Sequence, residues 1–353
     1  MSKPIIFAKA TKADWLQKVE KDLKGAPLTS LHWTVEGMPF TPFYNSEDSS
    51  HRAPMHTGSS NSWSVGEIIP VQDVKTANHR SMQALQMGAD SLQFTNVKDI
   101  DLHQLLANIQ LEWIHTHLHT DDIAVVQQLA ELVEQRGYDP TLVSCSMSFT
   151  EYSDALLAFT DRLPRCQFYT VTPLASSAHQ QVGELLLLGE RLVHRLQASG
   201  QSVEQCNNRL RFQLQCTDDY YLNIGKLRAL KLCWQRVLQA YDTNCSAMPI
   251  IESHIRHEPT DMDDNHNTIR STSQALSAVI AGANTIYVHP SEQRKSDPQT
   301  LRINRNISHL LSQESHIGLV GDPAAGSYFF EHLTDELAKK SWSIFQDKFD
   351  PQQ

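Results

Sequence analysis

The chain has 353 residues, with 30 Lys plus Arg against 40 Asp plus Glu and a formal charge of −10 at neutral pH. Hydrophobic residues make up 40% and charged residues 20%, which excludes wholesale disorder, collagen and low-complexity architectures. No stretch reaches the roughly 18 consecutive apolar residues of a membrane-spanning helix, and the acidic balance opposes a broad nucleic-acid or anionic-membrane surface while leaving room for a local phosphate pocket.

Residues 11–25 predict a short amphipathic helix. Trp15, Leu16, Val19 and Leu23 share one face, and Gly25 then Pro27 end it. An aromatic extended arm follows from Leu31 to Tyr44. Its Trp33, Phe40, Phe43 and Tyr44 need apolar cover, either from their own chain or from a partner. Residues 45–62 are polar and serine-rich and predict a linker.

After the linker, short apolar runs alternate with helical stretches. The predicted strands are 64–71, 91–95, 111–117, 141–148, 167–172, 210–216, 248–254 and 284–289. The predicted helices are 73–87, 102–109, 121–136, 151–162, 178–198, 219–241, 266–281 and 298–313. Asp121–Asp122 and Asp218–Asp219 read as helix caps, and Gly88, Gly137, Gly200 and Gly282 as stops. Eight strand–helix units predict a parallel (β/α)8 TIM barrel, an α/β fold, and GxGxxG of the open dinucleotide-binding sheet is absent. The predicted organisation is an N-terminal helix, arm and linker over 1–62, the barrel over 63–331, and a C-terminal helix and tail over 332–353.

In such a barrel chemistry gathers where strands end. His115-Thr116-His117-Leu118-His119 places three imidazoles on one strand face, the opening of a metal site if His254 and an acid join it. The other reading is a polar strand end running into a helix cap. Arg302, Arg305 and His309 share a helix face, either a phosphate-facing patch or an internally ion-paired one. Gly321-Asp322-Pro323-Ala324-Ala325-Gly326-Ser327-Tyr328 is a small-residue turn without the GK[ST] of a P-loop, and predicts a tight connection that packs the C-terminal segment. No GxSxG nucleophile elbow occurs. Asp101-Leu102-His103 begins like the D-x-H-x-x-G cobalamin motif, but Leu106 stands where glycine is needed. The six cysteines (Cys145, Cys166, Cys206, Cys216, Cys233 and Cys245) form no CxxC pair. The N-terminus lacks the apolar core of a secretory signal, so reduced thiols and a cytoplasmic location are expected.

Four ordered blocks resemble the methylmalonyl-CoA mutase family, specifically its small (beta) subunit. The first is Trp15…Lys18-Val19-Glu20-Lys21-Asp22-Leu23-Lys24-Gly25 with Trp33-Thr34-Val35-Glu36-Gly37 and Pro42-Phe43-Tyr44. The second is Ile224-Gly225-Lys226-Leu227-Arg228-Ala229 through Trp234, and the third Asn267-Thr268-Ile269-Arg270-Ser271-Thr272. The fourth joins Arg302-Ile303-Asn304-Arg305-Asn306 and Glu314-Ser315 to Gly321–Glu331, which contains the turn just described.

The resemblance implies a (β/α)8 barrel, acyl-CoA entering along its axis, and adenosylcobalamin over its mouth on a separate flavodoxin-like domain. The sequence departs from the catalytic members. It has no D-x-H-x-x-G, no R-Q-Y-A-G-F-S or H-R-G-Y-D-S-D stretch, and Thr172 and Pro173 near the positions of the family's radical-site tyrosine and histidine. The expectation is a noncatalytic small subunit in a heterodimer with a large catalytic subunit. It has no catalytic or metal-ligating residues of its own, and cobalamin is supplied through the partner. Positional candidates for substrate contact are His117, His254, Arg256 and His289. Two alternatives are an active mutase barrel served by a separate cobalamin protein, and a metal-dependent hydrolase using His115, His117 and His254.

Overall fold

The computed structural model describes residues 10–48, 60–256, 264–291, 294 and 297–349. Most of the expected linker, at 49–59, and the last four residues of the tail lie outside them.

An arm precedes the barrel. Helix α1 (Lys12–Asp22) starts with a capping box, Thr11 and Asp14 exchanging side-chain and backbone hydrogen bonds. Strands β1 (Trp33–Val35) and β2 (Met38–Phe40) form a hairpin. Its turn residues Glu36 and Gly37 have φ of 49° and 72°, the double positive φ that a two-residue hairpin turn of this hand requires.

Eight parallel strands then close a barrel: β3 (Ser64–Pro70), β4 (Ser91–Thr95), β5 (His115–Leu118), β6 (Ser144–Phe149), β7 (Cys166–Val171), β8 (Leu210–Cys216), β9 (Ile251–Ile255) and β10 (Thr285–Val288). Strand β10 pairs back onto β3, Ile286 opposite Val65, and completes the circle. Between the strands run helices α2 (Val74–Gln86), α3 (Leu102–Leu105), α4 (Ile123–Gln135), α5 (Ala178–Ala198), α6 (Val203–Asn208), α7 (Tyr220–Tyr241) and α8 (Asp264–Ile280); α9 (Pro298–His309) and α10 (Tyr328–Lys348) follow the last strand. The fold is the expected (β/α)8 barrel.

Side-chain oxygens of Asp73, Asp122, Asp219 and Asp297 accept first-turn amides and start α2, α4, α7 and α9. The apolar faces of the strands point outward onto the helices. Phe212 of β8, for example, meets Trp234 of α7 edge to face with ring centroids 4.8 Å apart, and the Trp234 indole donates to Asn207.

Several expected elements are shorter than their apolar patterns. The third strand begins at His115 rather than Leu111, because its neighbour β4 begins at Ser91, opposite His115, and leaves residues 111–114 no backbone to pair with. The seventh begins at Ile251, after Pro249, which has no N–H for the ladder. The second helix stops at Leu105, and Asn108 turns left-handed at φ 61°. Residues 154–159 form a 3₁₀ turn, with the buried Leu156 and Phe159 three apart, the repeat of that tighter helix.

The blocks singled out in the sequence meet in space. Arg228 of α7 is buried and ion-paired with both Asp322 of the small-residue turn and Glu331 of α10. This clamp seats α10 against α5 and α7. Arg305 of α9 pairs with Glu67, which faces outward from β3. The hairpin lies on the same side: Phe40, fully buried, contacts Phe329 and His332 of α10, and Tyr44 stacks near His332. The Glu36 carboxylate accepts from the Ala178 and His179 amides, supplying the cap that Ser177 does not give α5. Much of the apolar arm is therefore covered by its own chain.

Replacing Arg228 by Met is expected to leave Asp322 and Glu331 buried without their cation, costing about 3–5 kcal/mol. Urea unfolding followed by circular dichroism reads this, with amide exchange of α10 rising first.

Candidate functional site

A closed barrel alternates residues between its axis and its helices. Here the inward positions are polar. Strand β8 reads Leu-Arg-Phe-Gln-Leu-Gln-Cys and places Arg211 inside. Strand β9 reads Ile-Glu-Ser-His-Ile and places Glu252 and His254 there, while β5 contributes His115 and His117 and β6 contributes Ser144, Ser146 and Ser148. Arg211 and Glu252 form an ion pair within the barrel, their side chains each 3% exposed.

Around that pair the hydrogen bonds run in two directions. On one side Arg211 donates to Ser146 Oγ at 2.5 Å. Ser146 also meets His115 Nε2 at 2.8 Å and His117 Nδ1 at 2.9 Å. His115 Nδ1 reaches Ser144 at 2.9 Å, and Ser148 lies 3.3 Å from His117 Nε2 and 2.9 Å from His119 Nδ1. On the other side Glu252 meets His254 Nε2 at 2.9 Å, His254 Nδ1 meets His289 Nε2 at 2.7 Å, and Arg256 Nε lies 3.2 Å from the same His289 nitrogen. Tyr287 stacks on His254 with centroids 4.9 Å apart and bonds Ser91 at 2.9 Å. A Cβ on Gly66 would come within 2.4 Å of the Tyr287 ring, so only glycine admits the ring there.

The electrostatics follow from this packing. Burial, and then the Arg211 cation, push the His115 imidazole down to about 3. The same causes hold His117 well below the ordinary histidine range. Burial works to raise the Glu252 carboxyl, but Arg211 and then His254 outweigh it and hold it at about 2. The interior is thus built around one carboxylate and one guanidinium with neutral imidazoles of β5 beside them.

Among the sequence-expected residues, His117 is fully buried and held by serines of β6. His254, Arg256 and His289 come together in a chain leading outward from Glu252. Arg256 and His289 border an open cleft of about 1250 Å³ at the mouth, between α2 and α9, whereas His117 and His254 do not. The three imidazoles of β5 share one face as expected, yet their nitrogens engage serine hydroxyls. Among the described residues no group of three His, Cys, Asp or Glu side chains is placed to hold a metal ion. Asp101 is the N-cap of α3, accepting from His103 and Gln104, and Leu106 is buried core, so this segment is built as a helix start rather than as a cobalamin ligand. Thr172 and Pro173 follow directly on β7, at the mouth.

Arg211 and Glu252 are the residues that sequence reasoning missed. The signal was present as polar residues on alternate positions of β4, β5, β6, β8 and β9, marking an inward polar face. All six cysteines are free and buried, and among the described residues no helix is long and apolar enough to cross a membrane.

Comparison with known proteins gives a consistent family. A family model described as methylmalonyl-CoA mutase matches residues 169–348. The methylmalonyl-CoA mutase small subunit of Porphyromonas gingivalis is 28% identical over 387 residues, covering 96% of this chain and 63% of that protein. The small subunit of Streptomyces virginiae is also 28% identical, covering 97% of this chain and 64% of its own length. The probable small subunit of Mycobacterium tuberculosis is 34% identical over 183 residues, 50% of this chain and 28% of that protein. The chain therefore spans less than two thirds of the length of the first two relatives. Among solved structures, Yersinia pestis dihydropteroate synthase is 13% identical with a TM-score of 0.46, over 81% of this chain and 99% of that one; it carries no functional argument.

The pH response is the expected outcome to measure here. Unfolded histidines bind protons near pH 6.5, whereas folded His115 does so only near 3 and His117 well below 6.5. The unfolded chain therefore binds more protons across that interval, and stability falls as pH drops from 6.5 toward 3. Glu252 adds a lower window, losing its contribution as pH falls from about 4.5 through 2. In His115→Gln the fall between pH 6.5 and 5 should flatten by up to about 1.4 kcal/mol per pH unit. Urea midpoints at pH 5, 6 and 7 measure it, and parallel lines for parent and variant would refute it.

Proposed function

The chain belongs to the methylmalonyl-CoA mutase family, and on that premise we propose that it acts as a small-subunit-like component of an adenosylcobalamin-dependent methylmalonyl-CoA mutase, noncatalytic itself and supporting a larger catalytic chain. The observation that carries this reading is the filled barrel axis. The ion pair of Arg211 with Glu252, together with His115, His117, Ser146 and Tyr287, occupies the space along which the family resemblance leads a pantetheine chain. Opening that path would mean separating a buried guanidinium from its carboxylate, and each charge left alone is strongly unfavourable.

The cofactor does not fit this chain's own residues. Asp101 and His103 belong to a helix cap, and the end of β7 offers Thr172 and Pro173 where the resemblance places a tyrosine and a histidine. Proline supplies neither a hydrogen-bond donor nor a proton. No catalytic step is therefore assigned to this barrel, and cobalamin belongs in this proposal to the partner.

The same reading assigns a partner surface to the aromatic rim left uncovered where the hairpin meets α7 and α10. Trp33 is 40% exposed, Phe43 37% and Tyr221 53%, and Tyr221 packs edge to face on Phe329. Aromatic side chains of this kind serve as interface anchors. Six buried free thiols suit a reducing compartment, which supports a cytoplasmic location.

The test is co-purification with the longer mutase chain from the same source, followed by methylmalonyl-CoA turnover with adenosylcobalamin. A 1:1 complex whose activity resides in the larger chain is expected, with no turnover by this chain alone. Tyr221→Ser should weaken the complex about tenfold or more, while the isolated chain loses no more than about 0.5–1.5 kcal/mol of stability, the worth of the ring's contact with Phe329. Turnover by this chain with a separate cobalamin protein would overturn the reading.

A further inference from the structure

Two of the six thiols stand side by side near the strand starts of β6 and β7. Cys145 and Cys166 are paired directly across the sheet, Cα opposite Cα, and both are fully buried. Ser144 and Ser146, which flank Cys145, face the barrel axis, so the two cysteine side chains point outward toward the helical layer. Paired positions on adjacent strands stand about 4.8 Å apart and carry their side chains on one face. That spacing lies within the roughly 4.4–6.8 Å over which a disulfide joins two Cα atoms. The two thiols already interact with each other.

Two further observations concern what surrounds the pair. Arg209, just before β8, is buried, and its guanidinium donates to the carbonyls of Thr160, Leu163, Pro164 and Cys166 at 3.0–3.3 Å. Its Nε has no acceptor. Burial lowers this guanidinium, and Cys166 and Cys145 are the first titratable groups that act against the shift. Burial, and then the Cys145 thiol, push the Cys166 thiol well above its ordinary range, while Arg209 pulls the other way. At rest Cys166 is thus a thiol, and a thiolate that forms there meets a cation at hand. The cover is thin. The crossover from β6 to β7 holds a six-residue 3₁₀ turn where the apolar pattern predicts a helix. Of residues 151–165 only Leu156, Phe159 and Leu163 are buried. A segment with so few buried side chains opens at less than the cost of global unfolding.

We propose that Cys145 and Cys166 form a redox modification site, a dithiol that a small peroxide converts reversibly into a disulfide between β6 and β7. With hydrogen peroxide, one cysteine's thiolate attacks a peroxide oxygen. The O–O bond breaks, an S–O bond forms, and the departing hydroxide leaves as water with the thiol proton. The second cysteine then attacks the sulfenic sulfur. The S–S bond forms, the S–O bond breaks, and a second water leaves. Two thiols and one peroxide thus become one disulfide and two waters. The β6–β7 register brings the pair together without backbone movement, and opening of the crossover admits the oxidant. This site is independent of the small-subunit reading.

The experiment treats the whole reduced chain with hydrogen peroxide, blocks remaining thiols with N-ethylmaleimide and maps the peptides by mass spectrometry without reduction. A peptide pair joined through Cys145 and Cys166 is expected, about 2 Da lighter than the two thiol peptides together and reversed by dithiothreitol. The other four cysteines should carry the blocking group. Circular dichroism should stay native while the link forms, and amides of 151–165 should exchange before those of β7. In Cys145→Ser the link should vanish and Cys166 should be trapped by dimedone as its sulfenic acid. The proposal is overturned if the native chain keeps both thiols reduced, if either cysteine joins a different partner, or if the link appears only after the native circular dichroism is lost. Amides of 151–165 that exchange only together with β7 would also overturn it. The readout is a covalent link in the isolated chain, so it neither needs nor tests a mutase partner.

Discussion

A guanidinium and a carboxylate locked together inside a closed sheet set the terms for this molecule. Arg211 and Glu252 are buried within the barrel, and neither tolerates burial alone. Everything near them serves that constraint. Ser146 of β6 accepts from Arg211, serines of β6 meet the imidazoles of β5, which stay neutral, and Gly66 makes way for the Tyr287 ring. Many barrels fill their axes with branched apolar layers. This one fills it with a polar network, which demands more of geometry because every donor needs an acceptor in the same small volume.

Outside the barrel a second buried guanidinium does the analogous work. Arg228 draws Asp322 and Glu331 inward, so the small-residue turn and α10 are held against α7 and α5. Arg305 and Glu67 tie α9 to β3 in the same way. The residues that carry the family likeness are thus largely the ones that lock the periphery to the sheet. A chain retains them for the sake of the fold whether or not it performs the family's chemistry.

The interior and the mouth of the barrel differ in how their charges are placed. Where charges are matched, as at Glu252 with Arg211 and His254, the interior is closed and settled. At the mouth, by contrast, Arg256 and Arg302 stand on exposed positions bordering an open cleft. The hairpin lies against α5 and α10, Glu36 capping α5 while Trp33 and Tyr221 stay partly in solvent. One polypeptide thereby carries a polar core, an open recess at the barrel mouth and an aromatic rim.

The eight-unit barrel was legible in the sequence because strand and helix periodicities, Asp caps and Gly stops are local, and local preferences agreed with the global fold. Strands β4 and β8 and helix α5 stand at the residues their patterns predict. The family likeness was legible for a related reason: motifs such as Gly321–Glu331 are contiguous in the chain. Strand starts at β5 and β9 were not, since pairing depends on where a neighbouring backbone begins. Of the residues chosen by position, His254, Arg256 and His289 do adjoin one another, while His117 belongs to the serine network. Arg211 and Glu252 lie 41 positions apart on separate strands, and only closure of the sheet brings them into contact. Sequence order determined which residues face inward. Tertiary structure alone decided which inward charges meet, because Coulomb energy depends on distance through space and not along the chain.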